Sequence, residues 1–172
     1  MEKPEFIERV LEINRVARVV KGGKRVRFRA LVVIGDEKGR IGCGVGKAAD
    51  VSGAIAKAVT TAKKQVISIF LQGSTIPYLV KTSYKSASIL IKPAPAGTGI
   101  VAGSSMRVVL SLVGIKDVVG KAMGSKNKLS NTMATIKALT MLKNPKDLLQ
   151  MRGMNYIQKT STTNVKVKST NK

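Results

Sequence analysis

From Arg15 to Arg29 the chain reads Arg-Val-Ala-Arg-Val-Val-Lys-Gly-Gly-Lys-Arg-Val-Arg-Phe-Arg, with seven cationic side chains and no acidic one. Cationic and apolar residues alternate on either side of the glycine pair, and a two-residue period is the pleat of a strand. The segment therefore predicts two strands joined at Lys21-Gly22-Gly23-Lys24. Glycine reaches the positive φ of a tight hairpin without a Cβ penalty. Val26, Phe28 and Ala30 then face a core, and Arg25, Arg27 and Arg29 form a row on the opposite face. A row of like charges is costly alone, and a phosphate backbone is its commonest partner.

The same bias runs along the whole chain. Lys and Arg number 31 against 9 Asp and Glu, a net charge of +22 on 172 residues, spread over both halves and not held in a tail. A solvated surface needs a net charge of only about 2–8 to stay soluble, so the excess points to a polyanion. Three Phe, three Tyr and no Trp leave few platforms for stacking splayed bases, which favours folded or duplex nucleic acid read by shape and phosphate position. A single cysteine, Cys43, excludes an intramolecular disulfide and reads as a small buried strand residue. With no histidine, Cys/His zinc sites are out and the usual general base is missing. The acidic start (Glu2, Glu5, Glu8) and the lack of a long apolar run predict neither a targeting peptide nor a membrane span. The expectation is a soluble intracellular protein with no cofactor, no metal, no membrane contact and no small-molecule substrate.

Residues 4–12 predict a short amphipathic helix or arm opened by Pro4. Strands are expected at 13–21, 24–34 and 40–46, the last two joined by a turn at Asp36-Glu37-Lys38-Gly39. The third strand alternates Ile41, Cys43 and Val45 with Gly42, Gly44 and Gly46. Its outward face is then bare backbone, for tight packing, a bulge or close approach of an RNA backbone. Val51, Ala54, Ile55, Ala58, Val59, Ala62 and Val66 keep helical spacing, predicting a helix over 49–66 with Lys57, Lys63 and Lys64 off its buried stripe. Beyond the polar link at 72–75, strands are expected at 77–82, 87–92 and 115–122. Helices are expected at 103–113, with Ser104 or Ser105 near the N-cap and Gly114 past its end, and at 130–142. Asn144-Pro145 opens a last turn to about Arg152. The fold class is α+β. Its parts are an arm at 1–12, a three-stranded sheet plus helix at 13–74, a small two-layer βαβα-type domain at 75–152, and a flexible basic tail at 153–172.

Two nucleotide motifs fail on inspection. Gly42-Cys43-Gly44-Val45-Gly46-Lys47-Ala48 has Ile41 where a phosphate-binding loop needs its first glycine and Ala48 where it needs a hydroxyl. Gly97-Thr98-Gly99 with Ala102 and Asp117 imitates a dinucleotide fingerprint, but two prolines separate it from the preceding strand. The remaining reading is a glycine loop before a helix whose N–H groups receive a phosphate or a neighbour's backbone. The scattered carboxylates form no catalytic set, so the chain does not read as an enzyme; Asp50 and Asp147 suit helix N-termini.

Five blocks in order resemble the bacterial-type family of ribosomal protein five of the small subunit, over about residues 10–145. They are Asn14-Arg15-Val16 with Val19 to Arg25, Ala30 to Asp36, Gly39 to Ala48, Lys92 to Gly103, and Gly124-Ser125-Lys126-Asn127 with Ala134-Thr135. Val45 departs from the aromatic usual there, and Lys128 from a proline. The resemblance implies a double-stranded-RNA-binding-like N-terminal domain, small-subunit rRNA as ligand and ribosomal proteins four and eight as neighbours. It also implies a seat near the path along which messenger RNA enters, and an influence on decoding accuracy. The ribosome would be that of a bacterial cytoplasm or, alternatively, of a plastid stroma. The expected RNA-binding residues are Arg15, Arg18, Lys21, Gly22, Gly23, Lys24, Arg25, Arg27, Arg29, Gly42, Gly44, Gly46, Lys47, Lys57, Lys63 and Lys64. Gly97, Thr98, Gly99, Gly103, Arg107, Gly124, Ser125 and Asn127 are expected at a partner-protein or RNA interface. A free RNA chaperone or translational repressor is the rival function, told apart by co-sedimentation with small subunits.

Overall fold

The computed structural model describes residues 6–71, 73–144 and 151–153. The first sheet begins with β1 (Ile7–Val20), β2 (Gly23–Gly35) and β3 (Arg40–Ala48), consecutive and antiparallel. Helix α1 (Val51–Lys64) packs on one face of it. A two-residue β4 (Ile67–Ser68) adds a fourth strand beside β3, giving the order β1-β2-β3-β4. The expected short helix over 4–12 is corrected: residues 7–12 are the start of β1. A bulge between Val10 and Glu12 explains the misreading. One inserted residue turns the strand period into Ile7, Val10, Leu11, which imitates the spacing of a helix.

The second sheet holds β5 (Val80–Tyr84), β6 (Ala87–Pro93), β7 (Ile100–Val101) and β8 (Val118–Gly124) in the order β5-β6-β8-β7, with β7 parallel to β8. Helices α2 (Ser104–Val113) and α3 (Lys128–Thr140) back it, so the chain is α+β with a sheet-and-helix layer in each half. Gly103, not a serine, is the N-cap of α2, and Gly114 closes it in a left-handed conformation as expected. The two-residue strands β4 and β7 are too short to leave a period in the sequence. The tail beyond Gly153 and most of the last turn expected after Asn144 lie outside the described residues.

The expected outward face of β3 is corrected as well. Gly42, Gly44 and Gly46 are buried beneath α1, where a Cβ would overlap the carbonyl oxygens of Ala62, Ala58 and Ala54 in turn. Two residues of strand advance about 6.6 Å and four residues of helix about 6 Å, so alternate glycines keep step with every fourth alanine. Ala30, Val32 and Ile34 of β2 complete this small core.

The opposite face of the same sheet feeds the main core. Val33, Ile41 and Cys43 pack with Ile89, Ile91, Met106, Val109, Leu110, Val113 and Leu139 of the second half. The β2–β3 turn also caps α2: Glu37 N–H donates to Leu112 O (3.0 Å) and Gly39 N–H to Val113 O (2.9 Å). These bonds satisfy carbonyls that a helix end leaves unpaired.

Candidate nucleic-acid interface

Strand pairing decides which cations share a face. Arg18 lies opposite Arg25, Val16 opposite Arg27 and Asn14 opposite Arg29 across β1 and β2; Arg29 in turn lies opposite Lys47 of β3. Arg18, Arg25, Arg27, Arg29 and Lys47 thus occupy the face away from α1. The lower half of that face is covered by the main core, through Val33 and Cys43. The upper half is open. Arg18, Arg25, Arg27 and Lys47 line a hollow of ≈ 350 Å³ floored by Val16 and Val20. None of the five cations is ion-paired among the described residues. With its side-chain amide turned to satisfy both ends, Asn14 accepts a hydrogen bond from Arg29 Nη2 at 2.9 Å and so orients that guanidinium.

The turn beyond is open on all sides. Gly22 (φ +128) and Gly23 (φ +149) adopt backbone conformations that side chains resist, with nothing within 4 Å of a Cβ on either. Lys21 and Lys24 are exposed there.

Not every expected residue joins this patch. Arg15 lies opposite Phe28 and Lys24 opposite Val19, so both belong to the α1 side of the hairpin. Lys57 stands with Lys47, Thr60 and Thr61 around a second hollow at the open edge of β3. Lys63 sits 3.8 Å from Glu8 across a half-exposed ion pair, which is worth little in water. Lys64 is exposed at the end of α1. Gly42 and Gly44 are buried under α1, and Gly46, buried beside them, reaches only the rim of the second hollow.

The second candidate set splits between opposite ends of β8. Gly99 O accepts from Val118 N–H at the first end, while Gly124 and Ser125 lie at the other. Seven residues of strand separate them by about 20 Å. At the first end, Asp117 Oδ1 accepts the N–H groups of Gly97 (2.9 Å) and Gly99 (3.0 Å). Those two amides of the loop before α2 are thus occupied by this chain's own carboxylate. The Gly99 amide above all, then the Ser74 hydroxyl and the Gly97 amide, hold the Asp117 carboxyl below the usual range against the opposing effect of burial. Thr98 Oγ1 donates to Pro95 O at 2.8 Å, turning inward on the same loop. Gly103 and Arg107 sit at the start of α2, with Arg107 exposed.

At the far end, Asn127 caps α3, its Oδ1 accepting Leu129 N–H at 3.0 Å. Ser125 Oγ accepts Asn127 N–H at 3.1 Å, and Asn131 Nδ2 donates to Ser125 O at 3.0 Å. The positioning roles of Asn14 and Asp117 were missed because both depend on cross-chain register. Asn127 carried a readable signal, an N-cap residue type just before a helix.

The family model for ribosomal protein S5, N-terminal domain, matches residues 6–70, and the model for ribosomal protein S5, C-terminal domain, matches residues 82–152. The first match contains the whole basic hairpin and the glycine–alanine seat of α1; the second contains both ends of β8. With the two matches together covering most of its length, the chain belongs to the ribosomal protein S5 family.

Proposed function

We infer that this chain binds small-subunit rRNA through the open upper half of the first sheet, with Arg18, Arg25, Arg27, Arg29 and Lys47 on phosphates and the Gly22–Gly23 turn closest to the RNA. Membership of the S5 family makes it a small-subunit ribosomal protein that binds rRNA, within a family whose role is structural. The observation that carries the residue assignment is the register. Five cations without ion pairs among the described residues share one three-stranded face, above a lower half closed by core. Lys21, Lys24, Arg15 and Lys57 flank that face and add to the field. In the assembled subunit the chain lies beside ribosomal proteins four and eight, near the path of incoming messenger, and contributes to decoding accuracy; the family resemblance supports these placements. The particle is a bacterial ribosome or, alternatively, a plastid one.

Binding should be electrostatic and should release counterions. Five neutralised phosphates give a slope of about −4 in log K against log salt. Filter binding to a small-subunit rRNA fragment between 50 and 200 mM salt measures it, those limits being about the range over which such slopes are read. Arg25→Gln, Arg27→Gln and Arg29→Gln together should flatten the slope by about 2–3 and leave the circular dichroism spectrum unchanged. An unchanged slope in a folded variant would remove the arginine row from the interface.

A further inference from the structure

Among the described residues the second sheet is covered on one face only, by α2 and α3. On its other face, residues alternate with the buried Val80, Thr82, Ile89, Ile91 and Val118. The pairing sets them in rows: Lys81 opposite Leu90 and Leu90 opposite Lys121, with Lys92 opposite Val119 and Val119 opposite Val101. Lys81 and Lys121 stand about 10 Å apart with Leu90 between them. Val101 is 50% exposed, Val119 39% and Met123 38%. No carboxylate lies on this face among the described residues; Asp117, just before β8, is buried and committed to the Gly97–Gly99 loop.

We propose that this open sheet face docks a protein partner whose own surface places Asp or Glu side chains around an apolar centre. The proposal rests on the chain's place in a ribosomal particle. Two features separate this face from the hairpin patch. Its middle is apolar, and apolar side chains gain nothing against a phosphate backbone but exclude water well against another protein. Its cations are three lysines, with neither an arginine fork nor a stacking aromatic among them, the side chains RNA recognition draws on. Three positive charges with no counter-charge among the described residues of this face ask for carboxylates in matching positions.

Small subunits carrying the full chain test this with a water-soluble carbodiimide. The reagent joins a lysine amine to a carboxylate as an amide, the carboxylate oxygen leaving on the urea by-product. The expected products link Lys81, Lys92 or Lys121 to an Asp or Glu peptide of another ribosomal protein. Acetylation of the same lysines should also fall several-fold between the free protein and the subunit. Lys81→Glu, Lys92→Glu and Lys121→Glu together should abolish those links and release the chain from subunits at lower salt, while binding to an rRNA fragment through the hairpin persists. Lysines as reactive in the particle as in the free chain would overturn the proposal, as would protection accompanied only by ultraviolet cross-links to RNA. A chain that never enters small subunits would sink the ribosomal reading itself.

Discussion

Glycine answers two different needs in this chain, and mutations separate them. At Gly22 the need is conformational, with a φ of +128 and open space around the missing Cβ. At Gly44 the backbone is ordinary, but a Cβ would overlap the Ala58 carbonyl oxygen. Gly44→Val should therefore push α1 off the sheet and cost about 3 kcal/mol or more, whereas Gly22→Ala should cost about 1–2 kcal/mol. Urea unfolding of the two variants measures the difference. Asp117 makes a pH prediction. Its folded pKa lies below the unfolded one, so its contribution is present above the unfolded pKa and is lost as pH falls through the folded value. Asp36 behaves alike: burial raises its pKa, but bonds from Arg40 and Lys38 outweigh that and lower it. Stability should hold at neutral pH and decline below about pH 4. In Asp117→Asn, which keeps an acceptor for the two glycine amides, that acid decline should be shallower in urea midpoints taken from neutral pH downward.

The secondary elements were legible wherever a local period survived. The hairpin, α1 and the left-handed stop at Gly114 follow from alternation, helical spacing and a residue type that suits its backbone. The start of β1 was not legible, since the bulge near Leu11 gives a strand the signature of a helix. Nor was the outward or inward sense of β3, because a strand alternating Gly with Ile, Cys and Val has two faces that both look buried. Caps lie between these cases. Asn127 is recognisable as a cap type, yet only the bond from Leu129 N–H shows that its side chain serves α3 and not a neighbour. Asn127→Ala should cost about 1 kcal/mol, and melting temperature against the parent chain checks it.

At the scale of the whole molecule, charge and packing pull in opposite directions. A net charge of +22 repels itself, and a core shared by both halves through Val33, Ile41 and Cys43 holds against it. Salt should therefore act with opposite signs. Raising it to physiological strength screens the repulsion and should raise the melting temperature of the free protein, while the same change weakens rRNA binding. Calorimetry and filter binding over one salt series test both signs together. The sequence by itself determined the hairpin, the order of most elements and the excess of positive charge, since each is set by neighbours within one stretch of chain. Only the tertiary structure decided that the β3 glycines seat a helix, that the Gly97 and Gly99 amides are spent on Asp117, and that Arg15 and Arg18 part to opposite faces. Those outcomes depend on what packs across a strand or pairs beside it, and such partners are brought together by folding and not by their order along the chain.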